Sequence, residues 1–443
     1  MTSSPKPAAA APTSARTHPV ALFFQRLGDD ITALIGDSNE SAQAQLGQVA
    51  LAKLKEYNPS GSISHSDLID YVLSADALCP QSDLEAKFGE PPLTLYVGTH
   101  FDISALTWLD ETTSIHQHEF CGAFHVLQGS SIHSRYRFVP WRAPEPKQRA
   151  IAGQLELIGL DVLRPGDTCE ITRGDCFIHA LFHLIRPSVT IVVRTTTDHP
   201  QRGVQYDYRW PGLALDPFQK HGPSIRKLQF LRMLQTLADG RHPTQLAHVL
   251  GEADLFLAYS LVSETLVGNA DPQQARRLAQ MCRGLPEAER EQLFKAAHYD
   301  LLSRSIISFR RKLHVPEHRF LLALLLNVFD RSELLRLVQA ETRCSDPIEQ
   351  VCQWIAEISG NTEHYRNLIE IDFNATALEM LASMFAGLGL SATLQSFTER
   401  HGQAAVDGQR DGLRALYCAL RECALFHAVF ADLAVDIDSA VKV

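Results

Sequence analysis

The sequence predicts an α+β multidomain protein, with an antiparallel β barrel set between an N-terminal helical cap and a large all-α C-terminal region. Three observations lead there. Between about Leu93 and Asp216, short β-type runs alternate with turn residues. On either side of that stretch, apolar residues recur at helical spacing. The chain has 443 residues, enough for two or three domains, and its 45% hydrophobic and 21% charged residues suit a protein that buries a sizeable core in water.

Taken in order, residues 1–19 are rich in Ser, Ala, Pro and Thr with Lys6 and Arg16 as their charges, and read as a disordered tail without a signal-peptide apolar segment. Residues 20–92 read as the helical cap. Leu22, Phe23, Leu27, Ile31, Leu34 and Ile35, then Leu46, Val49, Leu51 and Leu54, keep helical spacing. A loop is expected over Asn58 to Ser64 (NPSGSIS), with Ser66 as the N-cap of a helix over Asp67 to Leu78.

Residues 93–216 hold the runs LTLYVG, FDISALTWL, TSIHQHEF, AFHVLQG, SIHSRYRFV, QLELIGLDVL, TCEIT, DCFIHALFHLI and SVTIVVRTTT. Breaks fall at Gly98, Gly129, Pro140 to Pro146, Pro165-Gly166, Arg173-Gly174 and Pro187, a spacing that favours an antiparallel barrel or sandwich over βαβ units. Residues 217–443 read as helix throughout, with Ile225 to Ala238, Leu255 to Leu266, Pro286 to Leu313, Glu317 to Phe329, Ile348 to Ile358 and the Ala-rich Gly412 to Val435 as examples. No strict repeat period is present, so this region is a bundle or an irregular solenoid.

Several functional classes drop out. Forty-one basic against 51 acidic residues give a net charge of −10, which argues against nucleic-acid binding through phosphates and against a polybasic membrane anchor. No apolar run reaches the ~18 residues needed to cross a bilayer. Nine cysteines without a CxxC pair point to a cytoplasmic chain rather than a secreted disulfide framework, and away from a thiolate zinc site.

The chemistry-bearing residues lie in the β region. His116 and His118 are two apart on a predicted strand, so both point to one face and can supply two nitrogens to one divalent ion. Gly129, Gly166-Asp167, Gly174-Asp175, His179 and His183 follow. The stretch Ile115 to Gly129 (IHQHEFCGAFHVLQG) resembles the first motif of cupins, in which H-x-H is followed by a Glu and then a Gly; measured back from Gly129, the Glu position is Gly122. Gly166 to His183 (GDTCEITRGDCFIHALFH) resembles the second motif, with Thr172 at its Pro, His183 at its Asn, and His179 set two residues further along.

Three His without the Glu are similar to the cysteine dioxygenase-like thiol dioxygenases, as are the strand ending in Trp108 before SIHQH, the LQG that closes the next strand, and the form of the last strand, Pro187 to Arg194. The resemblance spans about residues 93–216. It implies a jelly-roll barrel and a mononuclear non-haem Fe(II) held by His116, His118 and His179, with open positions for a small substrate and O2. His183 is the alternative third ligand, or a residue that orients a ligand imidazole. An open three-nitrogen site would also take Cu, Ni, Zn or Mn. The substrate-binding arginine of those enzymes has no counterpart before Phe101, their active-site tyrosine falls at about Arg194, and Cys121 lies near their pocket cysteine.

Other residues carry plainer readings. Arg194, in the apolar SVTIVVRT, either ends its strand in water or meets an anion in the pocket. Tyr136 is a pocket acid or a core aromatic. His125 and His133 read as ordinary strand residues, and Cys121 and Cys176 as small buried ones. His314 and His318 are separated by a helix start, the basic RSIISFRR (Arg304 to Arg311) reads as a solvated face, and Cys418 with Cys423 suggests no site.

The sequence therefore predicts an iron-dependent dioxygenase acting on a small thiol or other small organic molecule with O2, with Arg194 and Tyr136 as candidate catalytic groups. Its activity should fall below pH ~6.5 as the ligand imidazoles protonate. One alternative is a non-catalytic metal-binding or sensor cupin fused to a helical protein-interaction domain, and another is a zinc or nickel hydrolase or isomerase. Association through the helical region, with a second copy or a protein partner, is left open.

Overall fold

The structure, a computed structural model, describes residues 18–36, 39–75, 77–82, 84, 89–109, 113–145, 148–196, 204–266, 272–360, 371–423, 425–426 and 428–434. The expected tail over 1–19 lies outside the described residues except for its last two, as does the end of the expected C-terminal helix at Val435.

The cap consists of α1 (Pro19–Ile35), α2 (Asn39–Tyr57), α3 (Pro59–Ser62) and α4 (His65–Ser74). Pro19 fits the first turn of α1, where its missing N–H would have had no helical partner. Val20, Phe24, Leu27, Ile31 and Ile35 form the buried stripe of α1, whereas Leu22 and Leu34, expected on that face, are exposed. Two further expectations are corrected. The segment NPSGSIS contains α3, whose first residue Pro59 is preset for a helical turn. The N-cap of α4 is Ser64, not Ser66: its hydroxyl accepts from Asp67 N at 3.1 Å and the Asp67 carboxylate accepts from Ser64 N at 2.7 Å, a reciprocal box that satisfies two backbone donors.

The β region runs β1 (Pro92–Val97), β2 (Phe101–Trp108), β3 (Ile115–His118), β4 (Gly122–Gln128), β5 (Ser131–Pro140), β6 (Ala150–Leu163), β7 (Thr168–Ile171), β8 (Gly174–His183), β9 (Ser188–Thr195), β10 (Asp207–Arg209) and β11 (Leu213–Leu215). The named strands pair antiparallel throughout. One sheet has the order β1-β2-β9-β4-β7, and the other closes on itself as β10-β11-β6-β5-β8-β3. The expected antiparallel β core flanked by helical regions is thus present.

Alternation along the strands explains the layers. On β2, β4 and β9, the residues Phe101, Ile103, Ala105, Ala123, Leu127, Val189, Ile191 and Val193 pack against the apolar faces of α1 and α2. Their neighbours Leu106, Trp108, Phe124, Val126 and Val192 point the other way and meet Leu163, Ile171 and Leu181. Both faces of this sheet are buried, so β9 reads as one apolar run instead of alternating. Each large side chain buried on either face contributes roughly 1.5–3 kcal/mol.

The remaining elements are helical: α5 (Gly222–Thr236), α6 (His242–Glu252), α7 (Leu255–Thr265), α8 (Pro272–Met281), α9 (Glu287–Arg310), α10 (Pro316–Asn327), α11 (Arg331–Thr342), α12 (Pro347–Gly360), α13 (Ala375–Phe385), α14 (Leu390–His401), α15 (Gln403–Asp407) and α16 (Arg410–Glu422). Two compact units emerge, Met1–Thr265 with Gln273–Ala297, and Leu266–Pro272 with His298–Val443. The strand-to-helix change near residue 217 therefore falls inside the first unit. There β6 and the connection leading into it are tied to the helical segments that follow: Gln292 Nε2 donates to Gly153 O of β6 at 3.1 Å, and from the β5–β6 connection Arg142 pairs with Glu289 at 3.1 Å and Arg149 pairs with Asp254.

In the second unit, Leu321, Leu324, Leu325, Val351, Ile355, Met380, Leu381, Phe426 and Phe430 are buried. His318 is buried there and meets Glu357 Oε2 at 2.8 Å, while His314 is exposed, so the two do not form a site. Arg310, expected on a solvated face, is instead buried, with its Nε donating to Arg319 O at 3.4 Å. Among the described residues no helix is long and apolar enough to cross a membrane.

Candidate metal centre

β3 is only four residues long and lies between β8 and β10, with His116 opposite Asp207 on one side and opposite His179 on the other. His116 and His118 share one face of it. Ile115 packs on the other face, where Gln117 Oε1 accepts from Tyr208 Oη at 2.5 Å. On β8, Phe177, His179, Leu181 and His183 share a face in the same way, Leu181 within the cluster around Trp108.

These two short stretches bring His116, His118 and His179 together. Their ring centroids are 4.6, 4.9 and 5.0 Å apart, and all three are at most 6% exposed. One potential ligand atom from each lies within 4.8 Å of the others. His118 Nε2 and His179 Nε2 are 2.9 Å apart, a spacing met when one ring donates to the other or when both lone pairs face a common cation. Nitrogens bound ~2.1 Å from one ion would sit about 3.0–3.5 Å apart, within the span that these donors occupy.

Ring orientation favours the Nε2 atoms as the donors. His116 Nδ1 lies 2.7 Å from Ser114 O, which can only accept, so the proton belongs on Nδ1. His179 Nδ1 lies 3.1 Å from His133 Nε2. Aromatic rings line the cluster: Phe120 is 4.5 Å from His118, Phe177 is 4.4 Å from His179, and Phe124 is 6.1 Å from His179.

Burial in this apolar lining disfavours the charged imidazolium. It pushes His118 and His179 well below 6.5, helped by repulsion from neighbouring histidines and, for His118, from Arg194; His116 is also lowered by burial. His133 is held at about 4, mainly by burial. Burial therefore favours the neutral form of all three imidazoles.

The glycines of the motif have structural reasons. A Cβ on Gly122, the position of the missing acid, would lie 1.9 Å from Val193 O, so the β4–β9 contact leaves no room for any side chain there. Gly129 has φ +84°, and a Cβ on it would lie 2.4 Å from Ser188 Oγ. The longer spacing from Gly174 to His179 is absorbed by an irregularity in the β3–β8 pairing, where His116 faces His179 but His118 faces Gly174. Asp175 and Cys176 within that segment are exposed.

The other candidates separate. His183 stays outside the triangle: its ring stacks on Trp108 at 4.8 Å and 16°, and its Nδ1 lies 2.8 Å from Ser131 Oγ. Tyr136 packs with Ile178, Leu155 and Tyr208; Ile178 precedes His179 on β8 and points to the opposite face, so Tyr136 is a core aromatic away from the three histidines. Burial pushes its phenol up to about 12.

Arg194 is half-buried and shares strand parity with Val192, on the face turned toward the histidines. In register it lies between Asp102 on β2 and Gly122 on β4. Cys121 packs on the opposite, helix-covered side of this sheet. His133 is the residue that sequence reasoning passed over. Its place beside His179 follows from the β5–β8 pairing, which no local pattern announces.

No protein-family model matches the chain, and no curated protein sequence matches it. Solved structures give partial likenesses of low score. A hydroquinone 1,2-dioxygenase in complex with Cd2+ and 4-hydroxybenzonitrile is similar at 10% identity, covering 28% of this chain and 86% of that one, with a TM-score of 0.19. The DMSP lyase DddQ from Ruegeria pomeroyi DSS-3 is similar at 16% identity, covering 42% and 95%, with a TM-score of 0.22. A recombinant oxalate oxidase in complex with glycolate is similar at 15% identity, covering 39% and 82%, with a TM-score of 0.21. At such scores the architecture rests on the strand order of this chain, and the site on its own three imidazoles.

Proposed function

We propose that the chain is a metal-dependent enzyme of cupin type, with His116, His118 and His179 holding one divalent ion, and that it acts as a non-haem iron dioxygenase on a small anionic organic molecule such as a thiol. One observation carries this: three buried ring nitrogens from two strands lie within 4.8 Å of one another. Within it His118 and His179 turn their Nε2 atoms toward each other at 2.9 Å, an arrangement that a shared cation would account for. The donor set fits an ion of intermediate softness, iron(II), zinc, copper, nickel or manganese. The resemblance in the motifs favours iron.

Iron(II), when bound, supplies the redox chemistry that dioxygen requires. The protein's own part is simpler. Burial keeps the three imidazoles neutral, so binding a cation does not first require removing protons. Phe120, Phe124 and Phe177 exclude water from the donors. Three neutral ligands leave the charge of a divalent ion uncompensated. An anionic substrate restores the balance, with Arg194 holding its carboxylate or thiolate. Tyr136 has no part in this proposal.

The test is metal content and oxygen uptake of the full chain, isolated without chelator or added histidines and then loaded with Fe(II). One ion per chain and thiol-dependent oxygen uptake, both lost in His116→Ala, are expected. A folded wild type that retains no iron(II) would remove the proposal.

A further inference from the structure

The metal reading of the three-histidine cluster leaves one neighbour without a role. From the ring geometry we infer that His133 is a positioning residue: it accepts the Nδ1 proton of His179 and so fixes that ring in the tautomer whose Nε2 lone pair points at the ion. This inference rests on the metal-centre proposal above.

His179 has two neighbours, one at each ring nitrogen. Its Nε2 is 2.9 Å from His118 Nε2 and its Nδ1 is 3.1 Å from His133 Nε2. A neutral imidazole carries one proton, so a ring that offers its Nε2 lone pair to a cation must hold that proton on Nδ1. There, among the hydrogen bonds of this ring, the acceptor is His133 Nε2. The alternative tautomer would aim an N–H into the centre and take His179 out of the donor set. His116 solves the same problem with a backbone carbonyl, Ser114 O at 2.7 Å from its Nδ1. The His116 and His179 rings are thus oriented by two different acceptors, one backbone and one side chain, and only the second is removed by changing a side chain.

His133 is itself well placed to hold its orientation. It is 2% exposed, and its ring meets Phe124 at 5.9 Å and 87° and Phe177 at 6.0 Å and 52°. It stands perpendicular to His179, at an interplanar angle of 90°. In this arrangement its Nε2 lone pair, in the plane of its own ring, is directed at the edge of the His179 ring where Nδ1–H emerges. It reaches the site from β5, a third strand, so the ligand on β8 is braced from a neighbouring strand rather than by its own.

The experiment uses the full chain and Co(II) as the probe ion, titrated against a chromophoric chelator, with His133→Leu and His133→Gln compared. Nitrogen-15 NMR of the Zn(II)-loaded proteins reads which nitrogen of His179 is protonated. Losing a partner of this kind typically lowers metal affinity 10–100-fold. His133→Leu should fall in that range, and His133→Gln, whose carbonyl can accept the same proton, should recover most of the loss. His179 should be protonated on Nδ1 in the wild type and in His133→Gln.

Full Co(II) affinity in His133→Leu would overturn the inference, as would equal weakness of both variants while both remain folded. So would a wild-type His179 protonated on Nε2. A wild type that binds no Co(II) sinks the metal centre itself, and His133's role with it; that result is told apart from the others because it precedes any substitution.

Discussion

Two of the buried imidazole sites on the β core differ in what their nitrogens face. His125, on β4, has Ser60 N donating to its Nε2 at 3.2 Å, Ser60 Oγ at 3.1 Å from the same nitrogen, and Thr168 Oγ1 at 2.8 Å from its Nδ1. His118 and His179 face each other. Both sites are buried and both have depressed basicity. Burial and a low pKa are therefore not what marks the metal centre. The difference is partner chemistry. A histidine whose nitrogens are met by hydroxyl and backbone groups is a bridge between strand and helix; histidines whose nitrogens meet other imidazole nitrogens are the donor set proposed for an ion.

The sharpest way to break this division is to exchange the losses. His118→Ala removes one of three donors. Structural zinc sites with four ligands are worth about 10–16 kcal/mol in binding, or roughly 3 kcal/mol per donor, so the affinity for Co(II) should fall by about 100-fold or more. His125→Ala should leave Co(II) affinity and stoichiometry at the wild-type level. It should instead lower unfolding free energy by about 1–3 kcal/mol, because the Ser60 and Thr168 groups lose a buried partner. Titration and urea denaturation of both variants check the pair. A metal loss in His125→Ala, or none in His118→Ala, would erase the distinction.

Acid provides the next test. Burial lowers His125 from 6.5 to about 4. In the unfolded chain it would protonate near 6.5, so between about pH 6.5 and 4 the unfolded state binds more protons than the folded one. Stability therefore falls as pH drops through that window, with a slope of at most about 1.4 kcal/mol per pH unit from this residue. The melting temperature of His125→Asn, compared with wild type from pH 7 to 4, should depend less on pH. Equal slopes would mean that His125 is not among the groups that couple folding to protons.

How much of this was legible in the sequence depends on how local each signal is. The pair His116 and His118 was readable because strand parity puts residues two apart on one face, and Gly129 because the turn after β4 needs a positive φ. The N-terminal cap was readable from the helical spacing, although Ser64 rather than Ser66 proved to be the cap, a choice that depends on which serine lies three residues before the carboxylate that answers it. His179 and His183 share parity on β8, so no pattern chooses between them. The choice lies in the irregular pairing between β3 and β8, which sets His116 opposite His179 and leaves His183 against Trp108. Tyr136 was placed by the other face of the same sheet, and His133 by a strand pairing formed 46 residues away from His179.

The smallest expected effect isolates one hydroxyl. Thr168→Val keeps the shape of the side chain and removes the hydroxyl that meets His125 Nδ1 at 2.8 Å. The imidazole is buried, so the lost partner leaves a polar group unsatisfied, which costs about 1 kcal/mol. That residue sits at the start of β7, paired with His125 across the β4–β7 ladder, and its hydroxyl meets His125 Nδ1 and Gly166 O. Urea denaturation should register the loss while Co(II) affinity stays at the wild-type level. A parallel drop in Co(II) affinity would mean that the strand β4 transmits strain from the His125 bridge into the metal centre, and the two imidazole sites would then have to be read as one.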